Sequence, residues 1–130
     1  MLKRDPEWTS GADEIDKEHD QFFSLASRLT SLVRVGVHPD IVREAVDTLH
    51  QRMTLHTSAE ERMAAKSDPE TVTILREDHQ VMLGAVKALS QNIGKISANE
   101  AVAEMDRIVA MIVKHERDVD VPLFRMIAKR

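Results

Sequence analysis

Six histidines stand in a chain of 130 residues that has neither cysteine nor tyrosine: His19, His38, His50, His56, His79 and His115. Imidazoles with nearby carboxylates are the groups here that could do chemistry. His56 and Glu60 are four residues apart, so on a helix they share one face a single turn apart, as chelation of one ion requires. Three acids follow His115: Glu116, Asp118 and Asp120. On a regular helix Asp118 shares the face of His115, whereas Asp120 is rotated away by roughly 140°. Asp120 turns inward only if the helix gains a residue locally, as in a π-bulge. Pro122 lies just beyond and lacks a backbone N–H, which favours such an irregularity. Spacing alone leaves Asp118 and Asp120 about equal, and a solvated face accounts for all three acids as simply.

The elements that must position these groups are marked by scarce glycines and prolines. Gly36 with Pro39, Pro69 and Gly94 divide the chain into four long segments, while Pro6 and Gly11 lie in a leader. Ser67 with Glu70 and Ser97 with Glu100 have capping-box spacing, and Gly36 and Gly94 sit where helices stop. These signals predict helices over 14–35, 40–66, 68–93 and 97–128. Connections of a few residues between long helices favour antiparallel neighbours. The expected fold is all-α: one domain over 1–130, an up-down-up-down four-helix bundle with a short N-terminal arm.

Each predicted helix carries one stripe that alternates steps of three and four, as an inward face does. The first runs Ile15, His19, Phe22, Ala26, Leu29, Val33. The second runs Val42, Val46, Leu49, Met53, His56, Glu60, Met63. The third runs Val72, Leu75, His79, Met82, Val86, Leu89, Ile93, and the fourth Ala101, Met105, Ile108, Ile112, His115. Four histidines, one per helix, and Glu60 therefore face the core. His38, before Pro39, and His50, beside the second stripe, read as surface residues, and Met53, Met82 and Met105 as core packing.

A single histidine on an apolar face is most simply a core residue with a hydrogen-bond partner. Four of them beside a buried glutamate would need as many separate solutions, since an unpartnered buried polar group costs about 1–3 kcal/mol. Metal coordination satisfies them together. With no thiolate, a nitrogen and oxygen donor set points to iron, manganese or zinc. The close grouping leaves no slot of porphyrin size. The missing cysteines also exclude disulfides, thiolate zinc and iron–sulfur clusters. With 18 Lys+Arg against 22 Asp+Glu, a net charge of −4 and no basic cluster, neither nucleic acid nor an anionic membrane is the expected partner. The longest apolar run is IVAMIV at 108–113, far below the ~18 residues that span a bilayer. The N-terminus has no apolar signal region, so a cytoplasmic location is expected.

These residues carry a family resemblance. Trp8 followed by G-x-x-x-IDKEHDQFF at 11–23, HTSAEERM at 56–63, DPE at 68–70, EDHQVM at 77–82 and HERDVD at 115–120 resemble the motifs of the hemerythrins, in particular the single-domain bacterial ones. The likeness spans nearly the whole chain, and its motifs are specific in combination. It implies a four-helix bundle with two non-heme iron ions, oxo- or hydroxo-bridged, that bind O2 or another small diatomic ligand. By motif, His19 and His56 would hold the iron that has an open position, His79 and His115 the other, and Glu60 and Asp120 would bridge. The likeness thus favours Asp120 over Asp118. One departure stands out: where the family has H-x-x-x-H on the third helix, the first position here is Leu75. Water there, a substitute ligand from Glu116 or Asp118, or a weakly held second metal are the alternatives. Arg52, where the family usually has an aromatic, reads as a surface side chain. The expected function is O2 binding without turnover, for storage, delivery or sensing. A di-iron oxidase, peroxidase or nitric-oxide-handling enzyme, and a metal-buffering bundle, are the alternatives. The sequence does not give a protein partner, and a sensing role would need a separate one.

Overall fold

A computed structural model describes the backbone of residues 13–67 and 69–128 and the side chains of 16–67 and 69–126. The leader with Pro6, Trp8 and Gly11, its expected N-terminal arm, the Ile15 side chain and Asp68 lie outside the described residues. The elements are α1 (Asp13–Arg34), α2 (Pro39–Ser67), α3 (Thr71–Asn92), α4 (Ala98–His115), a π-helical turn (Glu116–Asp120) and α5 (Val121–Ala128). Among the described residues there is no strand. The last three follow one another without a break and form the fourth rod of the bundle. Each rod packs against its chain neighbours, and α4 closes the ring against α1.

The local signals explain the ends. Gly36 and Gly94 adopt φ of 77° and 88°, the left-handed conformation that glycine takes without a Cβ penalty. After α1 the Val37 N–H reaches back to the Leu32 carbonyl at 3.2 Å, the six-to-one bond of a Schellman end. At α4 the capping box forms in full: Ser97 Oγ accepts from the Glu100 N–H, and the Glu100 carboxylate accepts from the Ser97 N–H. The box expected at Ser67 and Glu70 does not form. Helix α2 runs through Ser67, so its backbone belongs to the preceding helix, and Glu70 starts α3 without a side-chain cap.

The described stripe residues are buried, with one exception. Met63 is 37 % exposed and Ala64 takes the core position one turn after Glu60. The apolar core is divided in two. A large cluster extends from Phe22 and Met53 to Ile93 and Ala101, and a small one holds Ala64, Val72, Leu75, Leu123 and Phe124. The buried polar residues His19, His56, Glu60, His79, His115, Glu116 and Asp120 belong to neither. The fold thus places a polar layer between two apolar ones. At the far end Arg43 of α2 donates to the Ile93 carbonyl at 2.6 Å and to the Ser90 carbonyl at 3.4 Å. It thereby satisfies the carbonyls that end α3 and ties two antiparallel helices together.

Candidate metal centre

His19 comes from α1, His56 and Glu60 from α2, His79 from α3 and His115 from the end of α4. All are buried, as is Asp120. Asp120 reaches the centre because of the π-helical turn. The Val121 N–H bonds to the Glu116 carbonyl, five residues back, and the extra residue brings Asp120 onto the face of His115. Pro122 supplies no N–H of its own. Asp118 stays outside: its carboxylate is 46 % exposed and pairs with Arg117 at 2.9 Å. Spacing left these two acids level, and the turn separates them.

The six side chains form two groups whose donor atoms lie within 4.8 Å of one another. His19, His56, Glu60 and Asp120 make one; Glu60, His79, His115 and Asp120 make the other. Glu60 and Asp120 belong to both. The Nε2 atoms of His19, His56, His79 and His115 are buried and none has a hydrogen bond of sound geometry. His19 Nε2 lies 3.3 Å from Asp120 Oδ2 and 3.9 Å from Glu60 Oε1, and His115 Nε2 lies 2.8 Å from Asp120 Oδ1. His56 Nε2 abuts Glu60. Donors converge on shared points rather than pairing off, and leaving them so costs free energy unless a cation satisfies them. The donor set fits two divalent or trivalent ions with nitrogen and oxygen ligands.

The electrostatics agree. For His19, burial opposes the imidazolium, yet the carboxylates of Asp120, Glu60 and Glu116 outweigh it and raise its pKa to about 9. For His115, burial is likewise overcome by Asp120, Glu60 and Asp78, with the same result of about 9. Glu60 is pushed well above the usual carboxylate range by burial and by the charge of Asp120. Burial opposes the Asp120 charge too, but His115 and His19 hold its carboxyl below the usual range. Burial lowers the pKa of His79, which Glu61 offsets only in part. The raised pKa values of His19, His115 and Glu60 thus favour protons where cations would otherwise balance the charge.

Each histidine also turns its Nδ1 toward a carboxylate. His79 Nδ1 is 3.1 Å from Glu61, His115 Nδ1 is 3.2 Å from Asp78, His19 Nδ1 is 3.5 Å from Glu116, and His56 Nδ1 abuts Glu18. Sequence reasoning missed these partners. A signal existed: each acid is the immediate chain neighbour of an inner residue, in Glu18–His19, Glu60–Glu61, Asp78–His79 and His115–Glu116. Thr57, buried with its hydroxyl donating to the Thr54 carbonyl at 3.1 Å, was missed as well.

The two groups have different surroundings. A cavity of about 20 Å³ touches His19, His56, Glu60, Asp120 and His115, and Phe22, Met53, Met82 and Ile112 give it an apolar rim. That is room for about one water-sized molecule. On the other flank Leu75 is wholly buried with Ala64, Val72, Leu123 and Phe124. Neither Glu116 nor Asp118 joins the His79 group; Glu116 faces His19 instead. His38 is exposed and His50 half-buried, both away from the two groups, and Arg52 is exposed with a bond to Gln21 at 3.3 Å.

No helix among the described residues is long and apolar enough to cross a membrane. No curated protein and no solved structure matches the chain. The family model described as the hemerythrin HHE cation-binding domain matches residues 10–127. That range includes every residue of both donor groups, so the chain belongs to the hemerythrin family of HHE cation-binding domains.

Proposed function

We propose that His19, His56, Glu60 and Asp120 hold one iron ion, that Glu60, His79, His115 and Asp120 hold a second, and that the pair binds O2. The observation that carries this reading is the sharing of Glu60 and Asp120 between two groups, with all four Nε2 atoms turned inward. When bound, the two ions supply redox-active metal able to take a diatomic gas. The protein's part is to hold the donors and exclude bulk water. Two shared carboxylates at the centre offset much of the charge on two cations in a low-dielectric bundle. Phe22, Met53, Met82 and Ile112 keep the space beside the His19 group small and apolar, which suits a small uncharged ligand.

The oxidase and peroxidase readings need an open position beside His79. Leu75 fills that side with apolar packing, so the gas-binding reading is preferred. Anaerobic loading with Fe(II) followed by exposure to O2 tests it. The expected result is two irons per chain and a charge-transfer band that appears with O2 and disappears under vacuum. A colourless protein holding one zinc would overturn both the iron and the gas. Irreversible oxidation with peroxide turnover would replace binding by enzymatic chemistry.

A further inference from the structure

A neutral imidazole that binds a cation through Nε2 must carry its proton on Nδ1, and a carboxylate at Nδ1 fixes both that tautomer and the plane of the ring. Three of the inner histidines have such a carboxylate in hydrogen-bond contact. At His19 the Glu116 carboxylate stands 3.5 Å from Nδ1 without hydrogen-bond geometry, and none of the four acids comes from the histidine's own helix. Glu18 of α1 meets His56 of α2, Glu61 of α2 meets His79 of α3, and Asp78 of α3 meets His115 of α4. Glu116, the first residue of the π-helical turn, meets His19 of α1. The direction is the same at each step, and the fourth step closes the circle.

We propose that Glu18, Glu61, Asp78 and Glu116 are positioning residues that form a closed relay, each orienting the metal-binding histidine of the next helix and each acting on one metal site only. The inference rests on the two-metal reading above and assigns the acids to flanks. Glu116 and Glu18 set His19 and His56; Glu61 and Asp78 set His79 and His115.

The relay explains why the π-helical turn begins where it does. The turn carries Asp120 into the centre from its last residue, and its first, Glu116, is buried to 1 % exposure against His19. One backbone irregularity thereby supplies a shared donor and the closing acid. The other three acids are more open, with exposures of 44 % for Glu18, 20 % for Glu61 and 47 % for Asp78. The Glu116 carboxylate is therefore the least screened of the four. Because every acid comes from a neighbouring helix, a histidine is aligned only when its neighbour is docked.

The test is titration of the full chain with Co(II), whose visible bands report coordination geometry at each site. Glu116→Gln, Glu18→Gln, Glu61→Gln and Asp78→Asn keep side-chain size and remove charge. Each is made in two backgrounds: His79→Ala, which leaves the His19/His56 site, and His19→Ala, which leaves the other. In the first background Glu116→Gln and Glu18→Gln should weaken Co(II) binding by about 10–100-fold and shift the bands, while Glu61→Gln and Asp78→Asn leave both unchanged. In the second background the pattern should reverse for Glu61→Gln and Asp78→Asn. Equal losses in both backgrounds, or bands and affinities that no acid changes, overturn the relay; helical circular dichroism separates either result from misfolding. A wild-type chain that takes up one ion refutes the two-metal reading instead, and the acids flanking the occupied site still decide the relay.

Discussion

The two flanks of the centre use matching donors, two imidazoles and the same pair of carboxylates, yet they differ one helical turn farther out. A small cavity touches both histidines of the first flank, His19 and His56, but only His115 of the second, under the rim of Phe22, Met53, Met82 and Ile112. Beyond the other flank three of the seams continue with an apolar residue four positions from an inner one. Ala64 follows Glu60, Leu75 precedes His79 and Phe124 follows Asp120, and all three meet in one cluster. Residues four apart on a helix stack on the same face, so these three roof the polar layer. Donor identity is alike on both flanks, and the next residue along the seam decides whether there is space beside it.

The largest effect follows from what the flanks share. Glu60→Ala or Asp120→Ala removes a donor from both groups, so metal analysis after gel filtration should find both ions lost. His79→Ala removes a donor from one group and should leave about one ion per chain. A Glu60→Ala chain that keeps one tightly held ion would show that the carboxylate serves a single flank.

Leu75→His attacks the difference directly. A buried imidazole among Ala64, Val72, Leu123 and Phe124 has no protein partner there, so the metal-free variant should lose about 1–3 kcal/mol of stability. With iron present the new side chain can ligate. Loading should then restore the melting temperature, tighten the second ion and slow oxidation in air. Unchanged metal content, melting and oxidation would show that Leu75 does not stand at a ligand position.

Much of this arrangement is legible in residue spacing, and its failures have a geometric cause. The stripes identify His19, His56, Glu60, His79 and His115 because a 3.6-residue period reports directly on which face is inward. Leu75 is visible for the same reason. Met63 and Ala64 are adjacent in the chain and the stripe allows either; the smaller one is buried where α2 meets α3 and α5. Ser67 has a cap's spacing, but the preceding helix is long enough to include it. Glu18, Glu61, Asp78 and Glu116 stand one residue off the stripe, about 100° around the helix. Whether such an acid meets water or a neighbour's imidazole depends on which helix lies on that side, and no single stripe contains that fact. Asp120 required both the π-bulge argument and the family likeness.

Each flank has one histidine raised to about 9, His19 on one side and His115 on the other, while on the second flank burial also lowers the pKa of His79. A histidine whose folded pKa exceeds its unfolded value of 6.5 adds stability below pH 6.5 and loses it as pH rises toward 9. The raised pKa of Glu60 acts in the same direction. Melting of the metal-free protein should therefore fall between pH 6.5 and about 9. Metal affinity should rise over that window, since each ion displaces protons. Potentiometric titration during loading checks the sign; proton uptake on binding would contradict it.

The smallest expected effect belongs to Asp118, and it is informative because it should be close to nothing. On an uninterrupted helix Asp118 would face inward with His115 and Asp120 would point away. The π-helical turn exchanges their roles, leaving Asp118 exposed beside Arg117. Asp118→Ala should thus leave the melting temperature unchanged within error and leave both ions bound, whereas Asp120→Ala loses them. The reverse outcome would mean that the helix passes His115 without the extra residue. Glu116 would then no longer begin the turn that closes the acids around His19, and both flanks would have to share an acid other than Asp120. A pair of substitutions two residues apart therefore tests the backbone geometry on which the likeness of the flanks depends.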